Sequence, residues 1–199
     1  LDFQSAQDVA VLSRDDPGAW SLASRVHGRL LTFGIQAPSL EQAGTFIRDE
    51  HIFLRTESQE QALLALDAIR LRGEHNLQNV LAACAIAAAA GLPEQAMAEG
   101  VAGFEGMPHR LEFIRTWGGA DWYNDSIATA PERSMAAIRS FDEPLVLLAG
   151  GRDKDLPWQS FAELVVQRVD HLIAFGEAAN KVVDAVRAAQ GEISGNARL

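Results

Sequence analysis

The sequence predicts an α/β protein built in two parts, and three observations predict it. Beyond residue 110, short apolar runs alternate with helix-length amphipathic segments, the signature of parallel βαβ units with right-handed crossovers. Leu145 to Ala149 is apolar without polar alternation, as expected of a strand in a sheet covered on both faces. Between the two parts, Gly103-Phe104-Glu105-Gly106-Met107-Pro108 interrupts any periodic pattern and marks a boundary, giving domains 1–106 and 107–199.

The first element is Val9 to Leu12, an apolar run read as a buried strand. Asp16 before Pro17 makes an N-cap and N1 pair, so a helix is predicted over about Pro17 to Val26. Leu30 to Ile35 and His51 to Thr56 read as strands with turn residues between them, and Leu63 to Leu71 as a further one. The clearest helix is Asn76 to Ala90, where Leu77, Val80, Leu81, Cys84 and Ala88 recur on one face. Gly91 suits its C′ position, and Pro93 opens another helix to about Val101.

Past the boundary, Leu111 to Thr116 and Asp121 to Tyr123 form a hairpin through Gly118-Gly119. A helix over Pro131 to Ser140, the strand Leu145 to Ala149, a helix over Gln159 to Gln167, the strand His171 to Phe175 and a helix over Glu177 to Ala189 complete the series.

Bulk composition narrows the partners. The 199 residues are 48% hydrophobic, enough for a sizeable core, and carry a formal net charge of -10. So acidic a chain lacks the basic face of a nucleic-acid groove, although local cations and helix N-termini can still hold an anion. The lone Cys84 permits no internal disulfide, which fits a reducing, cytoplasmic setting; its Ala-rich apolar surroundings suit a buried thiol rather than a nucleophile. No membrane span or secretory signal is evident. Leu1-Asp2-Phe3-Gln4 and the polar stretch from Gly191 to Leu199 read as the cut ends of a piece of a longer protein.

In open parallel sheets, ligands bind beyond the carboxyl ends of the strands. Three loops are expected at that edge: Asn124 to Thr129, Gly150-Gly151-Arg152-Asp153-Lys154-Asp155, and Gly176-Glu177. Asp125 offers a carboxylate for two hydroxyls or an amine. Ser126 and Thr129 either line a ligand or cap the Pro131 helix, and the pattern leaves both readings open. Glycines in the second loop would let a backbone approach a ligand closely, and Lys154 is suited to a carboxylate or phosphate unless it is a solvated surface lysine.

Asn76 and Asn79, three apart on one helix face, suit the edge of adenine, or Asn76 simply caps the helix. Arg110 is a phosphate ligand or a partner of Glu112. Asp15 and Asp16 could chelate a metal, but capping accounts for Asp16. The histidines show no metal-ligand spacing, and no metal is assigned here.

Taken in order, Gly73-Glu74-His75-Asn76-x-x-Asn79, Phe104-x-Gly106-x-Pro108-His109-Arg110-x-Glu112, Asn124-Asp125-Ser126-x-Ala128-Thr129 and Gly150-Gly151-x-Asp153-Lys154 resemble the Mur ligase family, in the form of its D-glutamate-adding branch. The resemblance implies that residues 1–106 are the end of a P-loop-type central ATPase domain and residues 107–199 most of a Rossmann-like C-terminal domain. It implies a monomeric ATP-dependent ligase of peptidoglycan synthesis that joins D-glutamate to UDP-N-acetylmuramoyl-L-alanine through an acyl phosphate. Asn76 and Asn79 would contact the adenine side of ATP, Arg110 a phosphate and Asp125 the ribose hydroxyls. Thr129 and Lys154 would position D-glutamate.

Two departures stand out. Ile127 occupies a position where the family commonly has lysine, so Arg133 or Arg152 would supply that cation. The chain also contains no Gly-x-x-Gly-Lys-Thr/Ser phosphate loop, and the magnesium ligands are expected outside it, so this piece alone is expected to be inactive. The competing expectations are another Mur or folylpolyglutamate-type ligase and a noncatalytic nucleotide-binding module.

Overall fold

A computed structural model describes residues 3–39, 41–152 and 154–192. The chain divides into two compact units, Leu1–Glu105 and Gly106–Leu199.

The first unit is a five-stranded sheet in the order β1-β2-β3-β4-β5, with helices packed on it. Strands β1 (Val9–Ser13), β2 (Arg29–Phe33) and β3 (Gly44–Arg48) run parallel, while β4 (His51–Arg55) and β5 (Glu60–Ala65) continue antiparallel. The sequence reading missed β3. A tight turn joins it to β4 through Asp49 and Glu50, both left-handed at φ 49° and 58°. Such a turn is normally announced by Asn-Gly or Asp-Gly, and Asp-Glu carries no such signal.

Helix α1 (Pro17–Trp20) starts where expected, with the Asp16 carboxylate accepting from Ala19 N–H at 2.6 Å. It stops after one turn and gives way to a 3-10 turn over Ala23–Arg25. Ser21 Oγ donates to Gly18 O at 2.7 Å, a local bond that competes with helix continuation. The strand expected at Leu63 to Leu71 instead begins at Glu60 and ends at Ala65. A 3-10 turn follows, anchored by Leu66 N–H on Glu50 O at 2.9 Å.

Helix α2 (Glu74–Ala89) buries Asn76, Val80, Leu81, Cys84 and Ala85, close to the expected face. It is tied to the sheet where Thr45 Oγ1 donates to Leu81 O at 2.7 Å. Its end is a Schellman motif, with Gly91 N–H on Ala88 O and Leu92 N–H on Ala87 O, both at 3.0 Å. Helix α3 (Glu94–Ala102) follows with Met97 buried, and Ile52, Leu54, Val80, Leu81, Cys84 and Met97 form the core. Beyond the carboxyl ends of β1 and β2 and beside the start of β3, Arg14 donates to Thr32 Oγ1 and to the carbonyls of Gly34, Gln36 and Thr45. Burial holds its guanidinium below the ordinary arginine range.

In the second unit, β6 (Glu112–Trp117) and β7 (Ala120–Asn124) form the expected hairpin. Gly118 and Gly119 take φ 63° and 80°, the pair of positive values that a two-residue hairpin turn demands. Then come α4 (Pro131–Ile138), β8 (Val146–Gly151), α5 (Gln159–Arg168), β9 (His171–Gly176) and α6 (Ala179–Glu192). Strands β8 and β9 are parallel and in register from Val146–His171 to Gly151–Gly176, so β8-α5-β9 is a βαβ unit. Its core joins Ile138, Phe161, Val165, Leu172, Val182 and Val186.

The α/β class holds, but two details of the sheet differ from expectation. The hairpin is a separate two-stranded sheet, so the Asn124 loop leaves an antiparallel strand rather than the edge shared by β8 and β9. The β8–β9 sheet is also covered on one face. Helices α4, α5 and α6 share one core with Leu147, Ala149 and Leu172, while Val146, Leu148, Ile173 and Phe175 point the other way and are about half exposed among the described residues. A run of unbroken apolar residues cannot by itself distinguish a covered outer face from an uncovered one.

Candidate functional site

Two motif segments separated in sequence are joined directly in the second unit. Residues 108–112 turn sharply before β6, with His109 and Leu111 both left-handed at φ 67° and 44°. For residues other than glycine this geometry costs on the order of 1–3 kcal/mol each and persists only where neighbouring contacts fix it. Those contacts come from the Asn124 loop. Ile127 N–H donates to His109 O at 3.2 Å, Leu111 N–H to Asp125 Oδ1 at 3.1 Å, and Asn124 Nδ2 lies 2.8 Å from His109 Nδ1. The carboxylate of Glu112 accepts from His109 N–H at 2.7 Å.

Two structural alternatives, the Arg110–Glu112 pair and a Ser126 or Thr129 cap, are not what these residues form among the described residues. Glu112 bonds to the His109 backbone, and among the described residues no carboxylate pairs with the exposed Arg110. Helix α4 has Ala130 at its N-cap with no side-chain cap bond, so neither Ser126 nor Thr129 caps it. Thr129 and Ser126 are exposed, Asp125 is half-buried, and Ile127 is 45% exposed at the position expected to carry a cation. Arg133 and Arg152, the suggested substitutes, are both exposed.

The second loop also reads differently in three dimensions. A Cβ on Gly150 would lie 1.9 Å from Phe175 O, so this glycine serves the close approach of β8 and β9 rather than a ligand. Gly151, at φ 125° with nothing within 4 Å of a Cβ, is the glycine with open space before it. Lys154 is exposed in the loop before α5, and Asp155 pairs with Lys181 at 3.2 Å. Asp153 lies outside the described residues.

In the first unit, Asn76 and Asn79 are adjacent but unequal. Asn76 is buried, its Nδ2 donates to Arg72 O at 2.7 Å and its Oδ1 faces Asn79 Nδ2 at 3.4 Å. It is not the cap of α2; Gly73 is, without a side-chain bond. Asn79 is exposed and lines an apolar cleft of about 420 Å³ with Leu71, Cys84, Met97 and Phe104. Burial pushes the Cys84 thiol up to about 11, leaving it protonated and unreactive. Asp15 and Asp16, considered above as metal ligands, accept instead from Ile35 N–H at 2.7 Å and Ala19 N–H. Among the described residues, no group of three or more His, Cys, Asp or Glu side chains could hold a metal, and no helix is long and apolar enough to cross a membrane.

Sequence reasoning missed Arg14, whose guanidinium donates to a hydroxyl and three carbonyls from segments 18 to 31 residues away. No local signal would have found it.

Comparison with known proteins gives consistent matches. Residues 109–198 match the family described as Mur ligase, glutamate ligase domain. Among curated relatives, the UDP-N-acetylmuramoylalanine–D-glutamate ligase of Symbiobacterium thermophilum is 41% identical over 184 residues, covering 92% of this chain and 40% of that protein. The enzyme of the same name from Thermoanaerobacter pseudethanolicus is 34% identical, covering 94% and 41%. The chain thus spans about two fifths of the length of these relatives. Among solved structures, a MurF from Acinetobacter baumannii aligns with a TM-score of 0.67 at 20% identity, over 90% of this chain and 41% of that one. A folylpolyglutamate synthase from Mycobacterium tuberculosis aligns at 0.60, also at 20% identity, over 96% and 45%. These two likenesses concern the fold.

Proposed function

Because the chain belongs to the Mur ligase family, we propose that it is part of an ATP-dependent, cytoplasmic ligase that adds D-glutamate to UDP-N-acetylmuramoyl-L-alanine. In the proposed reaction, ATP phosphorylates the alanyl carboxylate. The D-glutamate amine attacks the acyl phosphate, and the tetrahedral intermediate expels inorganic phosphate as the amide forms. What carries the reading is the direct hydrogen bonding of residues 108–112 to the Asn124–Thr129 loop. Two of the motif segments are thereby one constellation, in a chain 41% identical to a ligase of that name.

On this reading residues 1–106 are the end of the ATP-binding central domain and residues 107–199 most of the C-terminal domain. Asn79 suits the edge of adenine, because it is exposed beside an apolar cleft. Asn76 holds Asn79 from below, since both ends of its amide are already engaged. Arg110 binds a phosphate, Asp125 the ribose hydroxyls, and Thr129 with Lys154 the D-glutamate. The donor set supports this for the nucleotide and amino acid. Among the described residues no cluster of three or more metal-ligating side chains occurs, and we assign the magnesium ligands to the remainder of the longer protein. The same protein is proposed to act as a monomer.

The test is a phosphate-release assay on the longer protein with ATP, UDP-N-acetylmuramoyl-L-alanine and a panel of amino acids. D-glutamate is the expected acceptor; preference for another amino acid would overturn the assignment. Thr129→Ala and Lys154→Ala should raise KM for D-glutamate, and Asp125→Ala should raise KM for ATP. Full turnover by the 199-residue chain alone would refute its status as an incomplete piece.

A further inference from the structure

His109 occupies a position no assigned role explains. It contributes three separate contacts to the junction between the two motif segments: N–H to Glu112, C=O from Ile127 N–H, and Nδ1 to Asn124. Its backbone is left-handed at φ 67°, it precedes Arg110, and Leu111 beyond is left-handed as well. The turn that presents Arg110 is therefore held from both sides, by the Asp125 carboxylate on Leu111 N–H and by the Asn124 amide on His109.

The orientation of the Asn124 amide is fixed by a second bond. Ser126 N–H donates to Asn124 Oδ1 at 3.1 Å, so the oxygen faces Ser126 and the NH2 faces the imidazole. The NH2 group can only donate, so His109 Nδ1 must accept and the ring proton must sit on Nε2. The contact requires the neutral imidazole. Glu112 Oε2 lies 3.9 Å from the same nitrogen and would receive it once Nδ1 carries a proton.

We propose that His109 is a positioning residue: its neutral imidazole accepts from Asn124 and clasps the Asn124–Thr129 loop to the turn that carries Arg110. This rests on the ligase reading for its kinetic consequence only; the clasp itself can be measured in this chain without any ligand.

Two measurements test it. Nitrogen-15 NMR of the neutral imidazole in the chain should show His109 as the Nε2–H tautomer with Nδ1 unprotonated, and Asn124→Ala should move the Nδ1 chemical shift by removing its donor. An Nδ1–H tautomer, or an Nδ1 chemical shift unmoved by Asn124→Ala, overturns the clasp. In the longer protein, His109→Ala should lower kcat/KM on the order of a hundredfold, as expected when reacting groups shift by about 1 Å. His109→Asn should restore most of that loss, since asparagine tolerates positive φ and places Oδ1 where Nδ1 stood. Equal losses in both variants, or none in His109→Ala, overturn the positioning role. If the wild-type protein fails to ligate D-glutamate, the functional reading falls, and the NMR result alone still decides the clasp.

Discussion

Replacing Gly150 by alanine tests the reassignment of the Gly150-Gly151 pair. The added Cβ would meet Phe175 O at 1.9 Å, its carbonyl carbon at 2.7 Å and Phe175 N at 3.0 Å, all backbone atoms that cannot swing aside. Relief requires β8 and β9 to separate at the register position Gly150–Phe175. Overpacking of this kind costs about 1–3 kcal/mol, and each adjacent ladder hydrogen bond weakened adds about 1 kcal/mol. A total near 3 kcal/mol would lower the melting temperature of a unit this size by roughly 12–24 °C. Gly151→Ala meets nothing within 4 Å and carries only the cost of its φ of 125°, about 1–3 kcal/mol. Thermal denaturation followed by hydrogen exchange, comparing β8 and β9 with β1 to β5 as an internal control, reads both variants. If Gly150→Ala protects β8 and β9 as well as wild type, the close approach assigned to Gly150 is refuted.

Further expectations concern both units. Cys84 should resist a thiol reagent in the native state and react on unfolding. Its pKa rises to about 11 through burial, so the unfolded thiol ionises first. Stability should therefore fall as pH rises from about 9 toward 11, by roughly 2–3 kcal/mol at most, an effect abolished in Cys84→Ala. Glu60 bridges Arg48 and the nearly buried Arg55 at 2.6 Å each, and those two bonds hold its carboxyl below the usual range. Glu60→Ala should destabilise the first unit by about 1–3 kcal/mol, because Arg55 loses its carboxylate partner and is left with the carbonyls of Pro38 and Ser39 and the Phe46 ring among the described residues. The wild-type bridge should weaken as pH falls through the depressed pKa of Glu60, a change seen as a lower urea midpoint in acid. Asp125→Asn retains an acceptor for Leu111 N–H, so the melting temperature should hold while ATP affinity in the longer protein drops about tenfold; an unchanged affinity removes Asp125 from the nucleotide site.

How much of this was legible beforehand depended on whether the cause was local. Helix α2 and its Gly91 terminus, the Asp16-Pro17 start and the Gly118-Gly119 turn were readable because periodicity, capping and positive φ act within a few residues. The resemblance to Mur ligases rested on motifs and their order, which three-dimensional contacts do not alter. Strand β3 escaped because its turn uses Asp49-Glu50, whose left-handed geometry is imposed by the strands it joins. The length of α1 escaped because no proline or glycine marks its end at Ser21.

The sequence by itself determined the α/β class and most of the elements, since these follow from patterning and short-range stereochemistry, and its ordered motifs carried the resemblance to Mur ligases. Only the tertiary structure decided the uses of individual polar groups. Asn76 became a buried support and Asn79 the exposed amide; Ser126 and Thr129 were released from capping; Glu112 went to His109 rather than Arg110; Gly150 went to the sheet rather than a ligand. Each of these depends on which donor or backbone atom lies within about 3 Å, and that neighbour is often many residues away along the chain.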